Sequence, residues 1–570
     1  MKKTIALILS ALTLCSAAAC SAGNGASSPK ESTPDEAATA ADFVKIDPEK
    51  LPAKVDLRNF EGKNYVTPVK CQLYGDCWTF AQAGAAEIAY LFANDMGVPA
   101  GEVNDKVNFS EKYISWYVFH GITKDDVAAG KVRASQVGEG FDVSEAEKAM
   151  PFSAFIIGGE HIGNACLFST GLGPVDEGTA VKGEYPYAYD DSWEGEWTLP
   201  LNAEYRCLPA SAVVKNIITL PNPASTDADG NYSLNQDGLN AVKSELVQGH
   251  GVTIGLRSNH LGFNKKNKAA YDSSNESPDH AVAVVGYDDS FPKEKFSRKD
   301  SSGKEIEGST PPADGAFIIK NSWGLMDFDG SADDGYVYLS YYDHSLTPPV
   351  SFSFEGGEAA KRPSPNYDQY DLMITQWYGN TDYDKETKMA NVFDAEEDES
   401  LYQIAYKTSL PNTEVSYEVY KDVEDGNPTS GTLLEKGANS HSYAGFFKID
   451  LKDEYALKKG EKYAVVLTMK RATDENGSMV YTEVFPYSTE FSEGLTVRGV
   501  INPGESYLYS DGKWSDMTAA KDSLIERAFE QGVKEIGSRK ITTKVSLESK
   551  DTFTVDNYPI KGIAAPAAKK

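Results

Sequence analysis

Cysteine is scarce in this chain. There are six in 570 residues, and only Cys71, Cys77, Cys166 and Cys207 follow residue 20. That excludes a fold built on a disulfide framework and leaves Cys166–Cys207 as one open pairing. Histidine is scarce too, seven in all. None of them falls at metal-ligand spacing, so no metal or other cofactor is expected. Basic residues are outnumbered 55 to 85, a net charge of −30. Phosphate binding needs a positive footprint, so nucleic acid is excluded as a partner. After the first 20 residues no apolar run is long enough to span a bilayer.

What is present begins with MKKTIALILSALTLCSAAAC. Two lysines, a short apolar run and small residues make residues 1–20 an export leader, to be set apart from the fold. The run ending AAAC resembles a lipoprotein cleavage site, with Cys20 as the lipid-bearing residue. Plain secretion is the alternative. A Gly/Ser/Ala-rich tether follows at 21–50. Membrane contact is therefore expected only through a lipid anchor, and the location is the cell surface or the medium.

The length suggests two or three domains. WTFAQAGAAEIAYLFAND (78–95), FSEKYISWYVFHG (109–121) and AVKSELVQGHG (241–251) have helical spacing. VTIGLRS, HAVAVVGYD, GAFIIKNSW and GYVYLSYYD read as strands. Helices early and strands late give an α+β domain over 51–355, with loop-like stretches at 221–238 and 289–315. Runs such as LYQIAYKTS, VSYEVYKD and KYAVVLTMK suggest an all-β sandwich over 365–515. Residues 519–570 hold one helix-like stretch, the strand-like ITTKVSLES and a basic Ala/Pro-rich tail, with no architecture evident.

VKCQLYGDCWTFAQAG (69–84) carries the chemistry. A thiolate is the nucleophilic form of cysteine, and a helix N-terminus and a nearby histidine favour it. Cys77 stands where such a helix should begin. It needs a histidine within reach, a group to orient that histidine, and donors for an oxyanion.

CQLYGDCWTFA resembles the active-site segment of papain-like cysteine proteases, usually close to NQGxCGSCWAF. The resemblance implies Cys77 as nucleophile and Gln72 as oxyanion-hole amide. SPDHAVAVVGYD resembles the histidine strand, making His280 the base. IIKNSWG resembles the asparagine loop, making Asn321 the orienter of His280 and Trp323 the cover over their hydrogen bond. PAKVDLRN, NFSEK, EYPY and GYVYLSYYD fit in order. IIGGE resembles the paired glycines, here Gly158 and Gly159, that bind extended peptide. The likeness covers residues 51–345 and implies a two-lobed domain, a helical lobe plus a β-barrel-like lobe. Residues 369–380, 389–393, 443–451, 457–467 and 502–517 resemble a lectin-like domain, which implies a cell-surface glycan as partner. Trp377, Tyr378 and Trp514 are equally readable as sugar platforms or as core.

The chain departs from the family pattern in three ways. Gln72 precedes Cys77 by five residues instead of six. Tyr74 and Ile157 stand where the family commonly places a disulfide pair. His280 lies 203 residues after Cys77, which implies insertions around the cleft. Cys71 reads as a buried free thiol, or else a regulatory one. His161 follows the glycine pair and is a candidate substrate contact. DFDGSADDG (327–335) reads as an acidic surface insertion rather than a calcium loop. With about 30 residues between Cys20 and Leu51, no inhibitory pro-segment of the usual size is expected. The expectation is an exported thiol endopeptidase acting on polypeptide. A non-catalytic surface binder on the same fold, and a cell-wall hydrolase on another fold, are the alternatives.

Overall fold

The structure is a computed structural model and describes residues 45–566 apart from 131, 151–152, 160–165, 178–200, 227–230, 259–262, 326–332, 363, 373–386, 472–486, 489, 493–494 and 527–553. The leader and Cys20, His161, His260, Trp377, Tyr378 and ITTKVSLES therefore lie outside the described residues, as do the side chain of Cys166 and the whole EYPY segment.

Helix α1 (Cys77–Ala93) is the first long element. It is buried on nearly every side, which its run of alanines permits. Helix α2 (Glu111–Phe119) starts at Ser110, whose hydroxyl accepts from the Tyr113 amide. Helix α3 (Gln236–Val247) is capped by Asn235, which accepts from the amides of Asp237 and Gly238. This cap corrects the sequence reading of 221–238 as loop. The stretch also holds a short hairpin, Ala224–Thr226 with Tyr232–Leu234.

The longer strands of the β lobe are β1 (Val214–Thr219), β2 (Gly251–Leu256), β3 (His280–Asp288), β4 (Ala316–Lys320), β5 (Tyr336–Ser340) and β6 (Val350–Phe354). Their order is β1-β6-β2-β3-β4-β5. α1 packs on β2, β3 and β6. The approach is so close that a Cβ on Gly251 would sit 1.8 Å from the Ala85 carbonyl oxygen.

The second domain is a sandwich. One sheet joins β7 (Thr387–Asp394), β9 (Thr413–Lys421), β10 (Thr432–His441), β12 (Lys462–Arg471), β13 (Ser506–Ser510) and β14 (Lys513–Asp516) in the order β10-β9-β12-β7-β13-β14. The other holds β8 (Glu399–Thr408), β11 (Ala444–Leu457) and β15 (Ile560–Pro566). Val415, Tyr417 and Val419 alternate inward from β9 and join one core with Ile404, Tyr406, Phe447 and Ile560 of the facing sheet. Period-two burial of this kind is what a half-buried strand requires.

Two features were not legible in the sequence. β11 pairs with β1, Ala444 opposite Thr219, so one sheet runs from the β lobe into the sandwich. The tail supplies β15, which lies between β8 and the short strand Asn366–Asp368. Residues 560–566 are thus an inner strand of the sandwich, where the sequence showed only an Ala/Pro-rich end. Residues 495–498 also pair with Gly140–Asp142 of the helical lobe, so the sandwich grips both lobes.

Candidate active site

Cys77 is the first residue of α1, with Asp76 at the N-cap, and it is half-buried. The positive end of the helix dipole therefore lies at its sulfur. Burial nevertheless pushes the thiol up to about 12. The backbone N–H groups of Ala281 and Trp78 pull it down, and the carboxylates of Asp76 and Asp279 push it up.

His280 opens β3, opposite Leu256 of β2. Burial lowers its pKa below the usual value, against a hydrogen bond to Asn321 that raises it. Asn321 follows β4 directly, and its backbone N–H donates to the Gly335 carbonyl at 2.9 Å. Asn321 Oδ1 accepts the Ser322 backbone N–H at 2.9 Å and lies 2.7 Å from His280 Nε2. Since a backbone N–H can only donate, the Asn321 oxygen faces both groups, and His280 Nε2 must carry a proton. In the neutral ring that leaves Nδ1 as acceptor. Trp323 lies over the imidazole with ring centroids 4.8 Å apart. Burial thus disfavours both the isolated thiolate and the isolated imidazolium here.

Gln72 is held from two sides. Its Oε1 accepts from Ser322 Oγ at 2.6 Å, and its Nε2 donates to the Tyr74 carbonyl at 2.7 Å. The five-residue spacing turns the Tyr74 carbonyl back onto the amide, and one Nε2 hydrogen remains for another acceptor. Gly75 presses on the neighbouring segment, where a Cβ would lie 3.2 Å from the Ile156 carbonyl oxygen. This packing, with Tyr74 and Phe155 rings 6.5 Å apart, occupies the place of the family's disulfide. It also brings the loop before Cys77 against the residues leading to Gly158 and Gly159. Gly158 has φ +83°, a conformation that favours glycine.

Sequence reasoning missed a buried charge cluster behind these groups. Lys70 Nζ donates to Glu87 at 2.9 Å, to Glu111 at 2.5 Å and to the Phe109 carbonyl at 3.1 Å. Lys320 Nζ donates to Thr67 Oγ1 at 2.8 Å, and Thr67 donates to Glu87. Burial raises Glu87, but Lys70, Lys320 and the Thr67 hydroxyl outweigh it and hold the carboxyl below its usual range. Burial pushes Glu111 up to about 7 against Lys70, and brings Lys320 down to about 8 against Glu87. The available signal was a glutamate inside an alanine-rich helix, where an unpaired charge would be costly.

The other candidates are structural. Cys71 is a buried free thiol that burial makes less acidic. The Cys207 thiol donates to the carbonyls of Asp126 and Gly130. His120 stacks on Trp116 at 3.7 Å, His344 on Tyr232 at 4.0 Å and His441 on Phe447 at 3.8 Å. Asp333 and Asp334 pair with Lys268. No cluster among the described residues could hold a metal ion. Trp514 donates its indole N–H to Thr429 at 3.1 Å and packs on a small core, as a structural residue would.

Solved structures of the clostridial cysteine protease Cwp84 share this architecture. Its form after propeptide cleavage has 19% identity and a TM-score of 0.58, covering 90% of this chain and 99% of that one. The protease and lectin-like domains of Cwp84 from Clostridium difficile, described as a surface layer associated protein, give 18% and 0.59, covering 93% and 91%. The family model described as "Lectin like domain" matches residues 367–528. The chain has a papain-like protease fold followed by a lectin-like domain. Curated proteins give no match. Within the papain-like fold, Cys77 lies on the helical lobe, and His280 and Asn321 lie on the β lobe.

Proposed function

We propose that this protein is an exported thiol endopeptidase. The observation that carries the reading is the His280–Asn321 hydrogen bond, in a tautomer that offers Nδ1 as base, on the lobe opposite a cysteine at a helix N-terminus. In this mechanism the Cys77 proton passes to His280 Nδ1 as Sγ bonds to the scissile carbonyl carbon. The carbonyl becomes an oxyanion, bound by the Cys77 backbone N–H and the remaining Nε2 hydrogen of Gln72. His280 then protonates the departing amine, and the carbonyl re-forms as a thioester. Water, deprotonated by His280, attacks the thioester and releases Cys77. Gly158 and Gly159 would pair with the extended peptide.

Export by residues 1–20 and a lipid anchor at Cys20 belong to the same proposal, as does a polypeptide substrate. Glycan binding by residues 367–528 is part of it too, supported by the lectin-like match and by the exposed Tyr509 set edge-on to Trp514. A second reading, a non-catalytic binder on this fold, draws on the engagement of Gln72 by Tyr74. A thiol-directed epoxide at neutral pH separates the two. Stoichiometric labelling at Cys77, abolished by His280→Ala, supports the peptidase. A Cys77 no more reactive than a denatured thiol supports the binder.

A further inference from the structure

Behind the catalytic pair a small cavity lies between α1, β3 and β4. Gly84, Glu87, Glu111, Ala281, Lys320 and Asn321 are among its lining residues, and it offers about 10 Å³ to the centre of a water-sized sphere. That is room for about one water molecule. Two of the lining residues carry buried polar atoms with no hydrogen-bond partner among the described residues: Asn321 Nδ2, a donor, and Glu111 Oε2, an acceptor. The two residues are 2% and 1% exposed, so bulk solvent does not serve them. A buried orphan donor or acceptor costs about 1–3 kcal/mol, and one molecule that accepts from the first and donates to the second removes both costs. The nearby ammonium groups of Lys70 and Lys320 disfavour a cation. The carboxylates of Glu87 and Glu111 disfavour an anion.

We propose that one internal water occupies this cavity and bridges Asn321 Nδ2 to Glu111 Oε2. Glu111 is then a positioning residue. It fixes the Asn321 amide from the side opposite His280 and ties the catalytic histidine to the buried charge cluster. The role assigned to Glu111 rests on the reading of Asn321 as the orienter of His280; the water itself does not.

Gly84→Ala is the test. The new Cβ would meet Ala283 Cβ at 3.6 Å and Lys320 Nζ at 3.9 Å, both ordinary contacts, so the expected variant keeps the fold and adds a methyl to the cavity lining. High-resolution crystal structures of the wild-type and variant proteins read the site directly. The expected result is a single peak at about 2.7–3.2 Å from both Asn321 Nδ2 and Glu111 Oε2 in the wild type, absent in Gly84→Ala. With the water gone, kcat falls on the order of tenfold at unchanged KM, while the epoxide still labels Cys77 to completion. A dry wild-type cavity, or a peak touching neither atom, overturns the water. Loss of the peak with unchanged kcat, or a fall in kcat with the peak retained, overturns the positioning role. If the wild type cleaves nothing, the peptidase reading fails, but the density still decides the water.

Discussion

The hydrogen bonds around Asn321 decide which nitrogen of His280 carries its proton, and that single assignment sets the direction of proton flow. Burial depresses His280, so its neutral, basic form persists below the ordinary histidine value. The acid limb of kcat/KM should therefore lie below about pH 6.5. A limb above that value in a pH–rate profile would contradict the assignment. Gln72 makes its contribution through one remaining N–H. Gln72→Ala should lower kcat by about 10²–10³ at nearly constant KM. An unchanged kcat would remove Gln72 from the oxyanion site. The helix start at Cys77 and the strands leading to His280 and Asn321 were legible because each lies inside its own local motif. The Tyr74 carbonyl on Gln72 and the Lys70–Glu87–Glu111 cluster were not. Their partners meet only after the nucleophile loop, α1 and α2 have packed together.

At the scale of elements, α1 begins at Cys77, the proposed nucleophile, and its seating on the β lobe sets where the sulfur points. Small residues make that seating possible. Gly251 has no room for a side chain against the Ala85 carbonyl. Gly251→Ala should destabilise the protein by about 1–3 kcal/mol or more and lower activity with it, since the shift is transmitted along the helix to Cys77. Urea unfolding checks this. A wild-type midpoint would show that the helix tolerates displacement. The main helices and strands were readable from periodicity because each repeats over many residues. The start of α3 was not, because Asn235 caps it from within a polar stretch that resembles loop. β15 was missed because IKGIAAP has no alternation of its own. Its burial comes from β8 on one side and Asn366–Asp368 on the other.

At the scale of the molecule, a sheet shared through β1 and β11 makes the sandwich part of the protease domain's support. Its junction with the helical lobe contains a buried acid pair, Glu139 and Asp556, near Asp371 and Lys561. Burial and the Asp556 carboxylate hold Glu139 well above the usual carboxyl range, although Val500 N donates to it at 2.6 Å. Burial and the Asp371 charge do the same to Asp556, against hydrogen bonding by Glu139 and the Asn557 backbone and the charge of Lys561. Raised carboxyls bind protons that the unfolded chain has already released. Their contribution is complete below the ordinary carboxyl pKa, about 4, and is lost as pH rises through the raised value. Glu139→Gln keeps an acceptor for Val500 and removes the charge. It should raise the Tm at pH 8, by roughly 2–4 °C for each kcal/mol gained, and leave it unchanged at pH 4. A scanning calorimeter measures both. A lower Tm at pH 8 would show that Glu139 is ionised and satisfied.

The most direct measurement of the central claim is hydrolysis of an unfolded polypeptide by residues 21–570 under reducing conditions, beside Cys77→Ala. The account predicts cleavage by the wild type and none by the variant, with both proteins folded alike. Equal cleavage by the two, or none by a folded wild type across a broad set of unfolded polypeptides, would contradict it.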